Sequence, residues 1–186
     1  MDREPIEDEG TVSGVTEEAG RRALDAALNF LSYRQRTGFE VRRKLASRGF
    51  GEATIDAALQ RLNAVGLVDD EAFVGAYVRD RIAHRPMGVR RMVQELYIKG
   101  IPRDVALPVI EQLLDEEDTD ERALARRVVA KKKRIPTAEP DDRAVAKRRV
   151  RDQLLRRGFD PRVVRDVIED LFSDRRAGAG GREVVM

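Results

Sequence analysis

The side chains with the most chemical potential in this sequence are cations. Arg42, Arg43, Lys44 and Arg48 fall within one short segment; Arg90, Arg91 and Lys99 form a second group, and Lys147, Arg148, Arg149, Arg151, Arg156 and Arg157 a third. Arg126, Arg127 and the run Lys131 to Arg134 precede the third group. Clustered Arg and Lys on helices can neutralise phosphates or pair with acidic protein surfaces. The plainer reading of any single one is a solvated helix face laced with acidic neighbours. Tyr33 lies beside Arg34 and Arg36 in the segment Tyr33-Arg34-Gln35-Arg36-Thr37, where an aromatic ring between guanidinium groups could stack on a nucleic-acid base. Tyr77 and Tyr97 read as core-edge residues.

Catalytic chemistry has little support. His84 is the only histidine and stands between Ala83 and Arg85, a setting more typical of a surface residue than of a base. Asp69 and Asp70 suit the start of a helix. The run Asp115 to Glu121 lacks the glycine and alternating ligands of a calcium loop. There is no cysteine, which removes thiolate catalysis and most zinc sites, and no glycine-rich phosphate loop. The expectation is a non-enzyme with no metal site and no cofactor.

The elements that must position these cations are helices. Of 186 residues, 38% are charged, 41% apolar and only 5% aromatic. Globular domains average about 25% charged, so a thin helical array fits better than one thick core. Leu24, Leu28 and Leu31 share a face of a first helix. Thr37 and Glu40 form a capping box that starts a second. Gly49 ends it in the left-handed conformation, and Ile55, Leu59 and Leu62 line a third. Asp69 reads as the next N-cap, and Thr119 to Glu121 begin a later helix. No segment has the alternation of a strand.

The chain repeats itself when aligned on Gly49, Gly100 and Gly158. Eight residues before each glycine stand Val41, Met92 and Val150; four before, Leu45, Leu96 and Leu154. Arg48, Lys99 and Arg157 immediately precede, and Phe50, Ile101 and Phe159 immediately follow. Leu59, Ile110 and Ile168 lie ten after; Leu62, Leu113 and Leu171 lie thirteen after. The spacings are 51 and 58 residues, the longer one absorbed by a loop at Ile135 to Asp142. Pro102 and Pro161 suit the first turn of each last helix. Matched leucines alone can arise between any two amphipathic helices; the matched glycine with its basic and apolar neighbours is harder to obtain by chance. The expected fold is all-α, with three tandem three-helix repeats forming an elongated, curved array. Repeat 1 is residues 19–66, repeat 2 is 67–116 and repeat 3 is 117–173. An acidic disordered tail covers 1–18 and a flexible one 174–186.

Residues 1–18 hold one basic residue against seven acids, a net of −6, leaving +8 on the remainder. No apolar run approaches the roughly 18 residues of a membrane span, and no signal segment opens the chain, so a cytoplasmic protein without membrane contact is expected. A glycine turn between helices also evokes a helix-turn-helix DNA reader. The third helices, with Glu52, Asp56, Gln60 and Arg61 in one and Glu111 and Gln112 in the next, offer few base-reading groups, so sequence-specific DNA binding is disfavoured.

Leu31 to Thr37 followed by Val41-Arg42-Arg43-Lys44-Leu45 resembles the opening signature of the RecX family of regulatory proteins. Gly66 to Phe73 with Tyr77-Val78-Arg79-Asp80-Arg81 resembles its central signature. Gly88-Val89-Arg90-Arg91 with Gln94 to Ile101 resembles the next. The match covers residues 20 to about 173. Gln35 stands where the family often has proline. The resemblance implies a modulator, usually an inhibitor, of the RecA recombinase in DNA repair, recombination and the SOS response. Such proteins bind the RecA filament on single-stranded DNA, restrain its growth, ATP hydrolysis and strand exchange, and bind DNA, single-stranded or double-stranded. A monomer lying in the filament groove is expected. Its partner contacts are expected at Tyr33, Arg34, Arg36, Arg42, Arg43, Lys44, Arg79, Arg81, Arg90, Arg91, Lys99, Arg148 and Arg149. The alternatives are a general single-strand-binding protein that competes for DNA, and a helical adaptor for another partner.

Overall fold

The computed structural model describes residues 9–130 and 140–173. Among them the chain forms nine α-helices and no strand: α1 Glu9–Leu31, α2 Gly38–Ala46, α3 Glu52–Ala64, α4 Asp70–Ala83, α5 Val89–Ile98, α6 Arg103–Glu116, α7 Glu121–Ala130, α8 Pro140–Arg156 and α9 Pro161–Ser173. Three times the order is helix, helix, glycine turn, helix. Gly49, Gly100 and Gly158 take φ of 85°, 85° and 78°, the left-handed region that closes a helix C-terminus at least cost when no Cβ is present.

Two compact units result. The first comprises α1, α2, α3 and the first turn of α4, together with Lys99–Ile101. Its core is Ala23, Ala26, Ala27, Val41, Leu45, Ile55, Ala58, Leu59, Leu62 and Val68, edged by Leu24, Phe30, Leu31 and Phe50. The inner face of α1 differs from the expected Leu24–Leu28–Leu31 stripe: three alanines point inward and Leu28 is 44% exposed. Alanines let α1 approach α2 and α3 closely, and the leucines beside them cover the seam.

The second unit holds the rest of α4 and α5 to α9. Met92 and Leu96 of α5 and Ala106, Ile110, Leu113 and Leu114 of α6 are buried, as are Val150 and Leu154 of α8. In α9 the buried line is Val164, Val167 and Phe172, whereas Ile168 and Leu171 are half-buried. The third helices nonetheless start alike, α3, α6 and α9 each beginning three residues after the glycine, with the prolines placed differently in that start. Pro102 is the N-cap of α6, outside the helix, while Pro161 is the first residue of α9.

Two expected boundaries move. Helix α1 begins at Glu9, inside the tail expected to be disordered through residue 18; Glu17 and Glu18 are good helix formers. Helix α8 begins at Pro140, inside the loop expected to reach Asp142, because proline fits a first helical turn. The remainder of that loop, Lys131 to Arg134 and residues 174–186 lie outside the described residues.

Local caps fix where helices start. Thr37 accepts from the Glu40 N–H at 3.1 Å while the Glu40 carboxylate accepts from the Thr37 N–H at 3.3 Å, completing the expected box. Asp69 accepts from the Ala72 N–H and Asp120 from the Ala123 N–H. A second set of caps reaches from one repeat to the next. In the first unit the Thr37 hydroxyl donates to the Lys99 carbonyl at 2.6 Å, and the Gly38 N–H donates to Asp70 at 2.8 Å. In the second unit the Gly88 N–H donates to the Arg157 carbonyl at 2.9 Å, and the Val89 N–H donates to Glu121 at 3.1 Å. Asp70 and Glu121 are the first residues of α4 and α7; Gly38 and Val89 are the first of α2 and α5. The same junction is thus built twice.

Candidate anion-binding surface

The elbow between α1 and α2 concentrates charge that the fold does not consume. Phe30 at the end of α1, Arg34 and Arg36 of the connector, and Glu40, Arg43, Lys44 and Ser47 of α2 line a recess of about 520 Å³. The Arg36 guanidinium lies 4.3 Å from the Phe30 ring centroid, and the Lys44 ammonium 5.7 Å from the same centroid. Arg43 lies 5.9 Å from the Phe39 ring. Aromatic faces hold cations in place without neutralising them. Arg36 Nε is buried with no hydrogen-bond partner.

One carboxylate serves this elbow. Glu40 pairs with Arg34 at 2.8 Å and Lys99 at 3.3 Å. Burial pushes its pKa up, but the Arg34 bond, the Thr37 N–H and the Lys99 charge outweigh that and hold it below the usual value. Glu40 is therefore committed to the cap and to these two cations. Arg36, Arg43 and Lys44 have no acidic partner among the described residues. Tyr33, next to Arg34, is 86% exposed.

Elsewhere most of the expected contact residues already hold carboxylates. Arg42 pairs with Glu52 at 2.9 Å and with Asp56; Arg79 reaches Glu116 at 3.6 Å; Arg148 reaches Asp152 at 3.9 Å. Arg90 pairs with Asp160 at 2.9 Å across the second junction. Arg91 pairs with Glu95 at 2.9 Å and donates to the Arg156 carbonyl at 3.1 Å. Exposed pairs of this kind are worth only about 0–1 kcal/mol, so an external anion could compete for several of them. Arg81 is different. Its side chain is 17% exposed, pairs with Asp80 and Glu95, and lies 4.2 Å from the Tyr77 ring centroid. The Tyr77 hydroxyl donates to Glu95 at 2.6 Å. This triad braces α4 against α5. Arg149 is exposed and has no acidic partner among the described residues.

Sequence reasoning placed Tyr33, Arg34, Arg36, Arg43 and Lys44 in one region but missed Phe30 as the platform beneath Arg36. Its position six residues ahead of Arg36, across a helix end, carries no periodic signal. It also missed Glu121, which accepts from both the Val89 and Asp160 N–H groups. Tyr97, read as a core-edge residue, is 70% exposed, while Tyr77 is buried.

Three-helix units joined by repeated caps, with cations held over aromatic rings at one elbow, define an all-helical tandem-repeat protein. The family comparison narrows that class. The first, second and third three-helix domains of RecX match residues 23–62, 69–107 and 119–168. Regulatory protein RecX of Prosthecochloris aestuarii is 31% identical over 83% of this chain and 96% of its own length. That of Mycobacterium avium is 35% identical over 85% and 88%. The crystal structure of RecX from Lactobacillus salivarius superimposes with a TM-score of 0.69 at 22% identity, covering 83% of this chain and 97% of that one. A second regulatory protein RecX structure gives 0.72 at 24% identity over 94% and 82%. The chain belongs to the RecX family. No helix among the described residues is long and apolar enough to cross a membrane.

Proposed function

We propose that this chain is a regulator of the RecA recombinase: as a monomer without a cofactor, it binds the RecA filament on single-stranded DNA and restrains ATP hydrolysis, filament growth and strand exchange. The names of its relatives support a regulatory role. The observation that carries the contact chemistry is the elbow recess, where Arg34, Arg36, Arg43 and Lys44 face a single carboxylate, Glu40. Such a surplus in a part-covered recess favours phosphate or clustered carboxylate and steers encounter as well as binding. Arg149 and the exposed, weakly paired Arg79, Arg90, Arg91 and Arg148 would add to the attraction, as would Arg42 once released from Glu52 and Asp56, while Arg81 and Lys99 act chiefly by bracing.

The test is DNA-dependent ATP hydrolysis by RecA with increasing amounts of this protein. Inhibition of preformed filaments at levels far below the DNA sites supports filament binding. A second reading, competition for bare single strands, draws on Tyr33, whose exposed ring beside the recess suits base stacking. Inhibition that disappears with excess single-stranded DNA would favour it. No effect on hydrolysis under either condition would remove both readings and leave an adaptor role.

A further inference from the structure

The three glycine turns are alike in backbone but not in surroundings. At two of them the carbonyl before the glycine accepts a hydrogen bond from the residue that heads the preceding repeat's middle helix: Lys99 from the Thr37 hydroxyl, Arg157 from the Gly88 N–H. There the missing Cβ makes room. A Cβ on Gly100 would stand 2.2 Å from the Cβ of Phe39, and one on Gly158 2.4 Å from the Cβ of Arg91. The next residue is sealed in both, Ile101 and Phe159 each being 1% exposed.

The first turn, Arg48-Gly49-Phe50, has the same φ of 85°. Nothing among the described residues comes within 4 Å of a Cβ placed on Gly49. Arg48 and Gly49 are exposed, and Phe50 is only partly covered. No hydrogen bond among the described residues ends on the Arg48 carbonyl.

We propose that the Arg48–Gly49 turn is a protein-docking site that takes the N-terminal turn of an α-helix headed by Ser, Thr or Gly, supplied by the protein this chain regulates. The occupant's chemistry is set by the two filled copies. A helix C-terminus presents bare carbonyls and partial negative charge; a helix N-terminus presents N–H groups and partial positive charge. A nucleic-acid phosphate has the wrong sign for that end. A second copy of this chain is a poor match, because its unused middle helix, α8, opens with Pro140 and lacks the N–H that Gly38 and Val89 contribute at that position.

The site lies outside the recess, and its partner rests on the RecA reading above, so the experiment separates the two. Gly49→Asn keeps a residue that tolerates positive φ and adds a side chain where the chain itself has open space. The full-length variant should melt within a few degrees of the parent by circular dichroism, while its half-inhibitory concentration against RecA hydrolysis rises at least tenfold. A photo-crosslinking residue in place of Arg48 should join to RecA near a helix start. Full inhibition by folded Gly49→Asn overturns the docking site and leaves the RecA reading intact. Crosslinks only to DNA or to a second copy overturn it equally, and this arm decides the matter even if Gly49→Asn fails to fold. A parent protein with no effect on hydrolysis and no crosslink to RecA overturns both.

Discussion

At the scale of the residue, what separates a contact from a brace is whether a charge has been answered within the fold. Arg43 and Lys44 are held near aromatic rings and have no acidic partner among the described residues. Reversing both, as Arg43→Glu with Lys44→Glu, should leave the melting temperature near that of the parent. Binding to RecA filaments should fall roughly tenfold or more, about 1.4 kcal/mol at the lower limit, measured by titrated inhibition of ATP hydrolysis. The triad of Tyr77, Arg81 and Glu95 predicts the reverse pattern. Glu95→Ala leaves the mostly buried Arg81 guanidinium with Asp80 as its one carboxylate partner and removes the acceptor of the Tyr77 hydroxyl. It should cost about 1–3 kcal/mol of stability, read from chemical denaturation, with inhibition by the remaining folded protein largely retained.

At the scale of the element, stability turns on caps that serve two helices at once. Thr37 is fully buried, starts α2, and ties that start to the Lys99 carbonyl. Thr37→Ala should cost about 1–2 kcal/mol, visible as a lowered thermal midpoint. Glu40 and Glu121 should respond to pH with opposite signs. The Glu40 pKa is lowered in the folded chain, so its ionisation stabilises the fold above the ordinary value of 4.5, and that contribution is lost as pH falls through the depressed value. Glu40→Gln should therefore destabilise at neutral pH and converge with the parent in acid. Burial raises the Glu121 pKa despite its two backbone donors. Its ionisation penalty is absent below the ordinary value and develops as pH rises through the raised one. Gln keeps the acceptor oxygen, so Glu121→Gln should match or exceed the parent's stability at neutral pH and lose that advantage in acid. Denaturant midpoints across the two pH ranges measure both effects.

At the scale of the whole molecule, a small net charge conceals a divided one. The first 18 residues carry −6 and the rest +8. If Arg36, Arg43 and Lys44 meet the phosphates of a single strand, the logarithm of the binding constant should fall with the logarithm of salt with a slope of about −2. Replacing Arg43 and Lys44 by alanine should make that slope shallower by about 1.4. Fluorescence anisotropy of a labelled oligonucleotide measures it. An unchanged slope in the variant would place the phosphates elsewhere, and an unchanged slope together with lost RecA inhibition would point to acidic protein surface as the ligand of the elbow.

The sequence by itself determined what is local and periodic. The capping box at Thr37 and Glu40, the N-cap at Asp69, the three left-handed glycines and the apolar pairs at −8 and −4 all follow from hydrogen-bond geometry and helical spacing within a few residues. Tertiary structure decided what depends on neighbours distant in the chain. Spacing could not show that alanines rather than Leu28 face the core of α1, because the choice rests on how closely α2 and α3 approach. Nor could it show which arginines stay open: Arg43 and Arg90 are the same residue type on equivalent helices, yet Arg90 meets Asp160 across a junction and Arg43 meets no acid among the described residues. Charge is written in the sequence, but its neutralisation is a matter of distance, and those distances are set only when the helices pack.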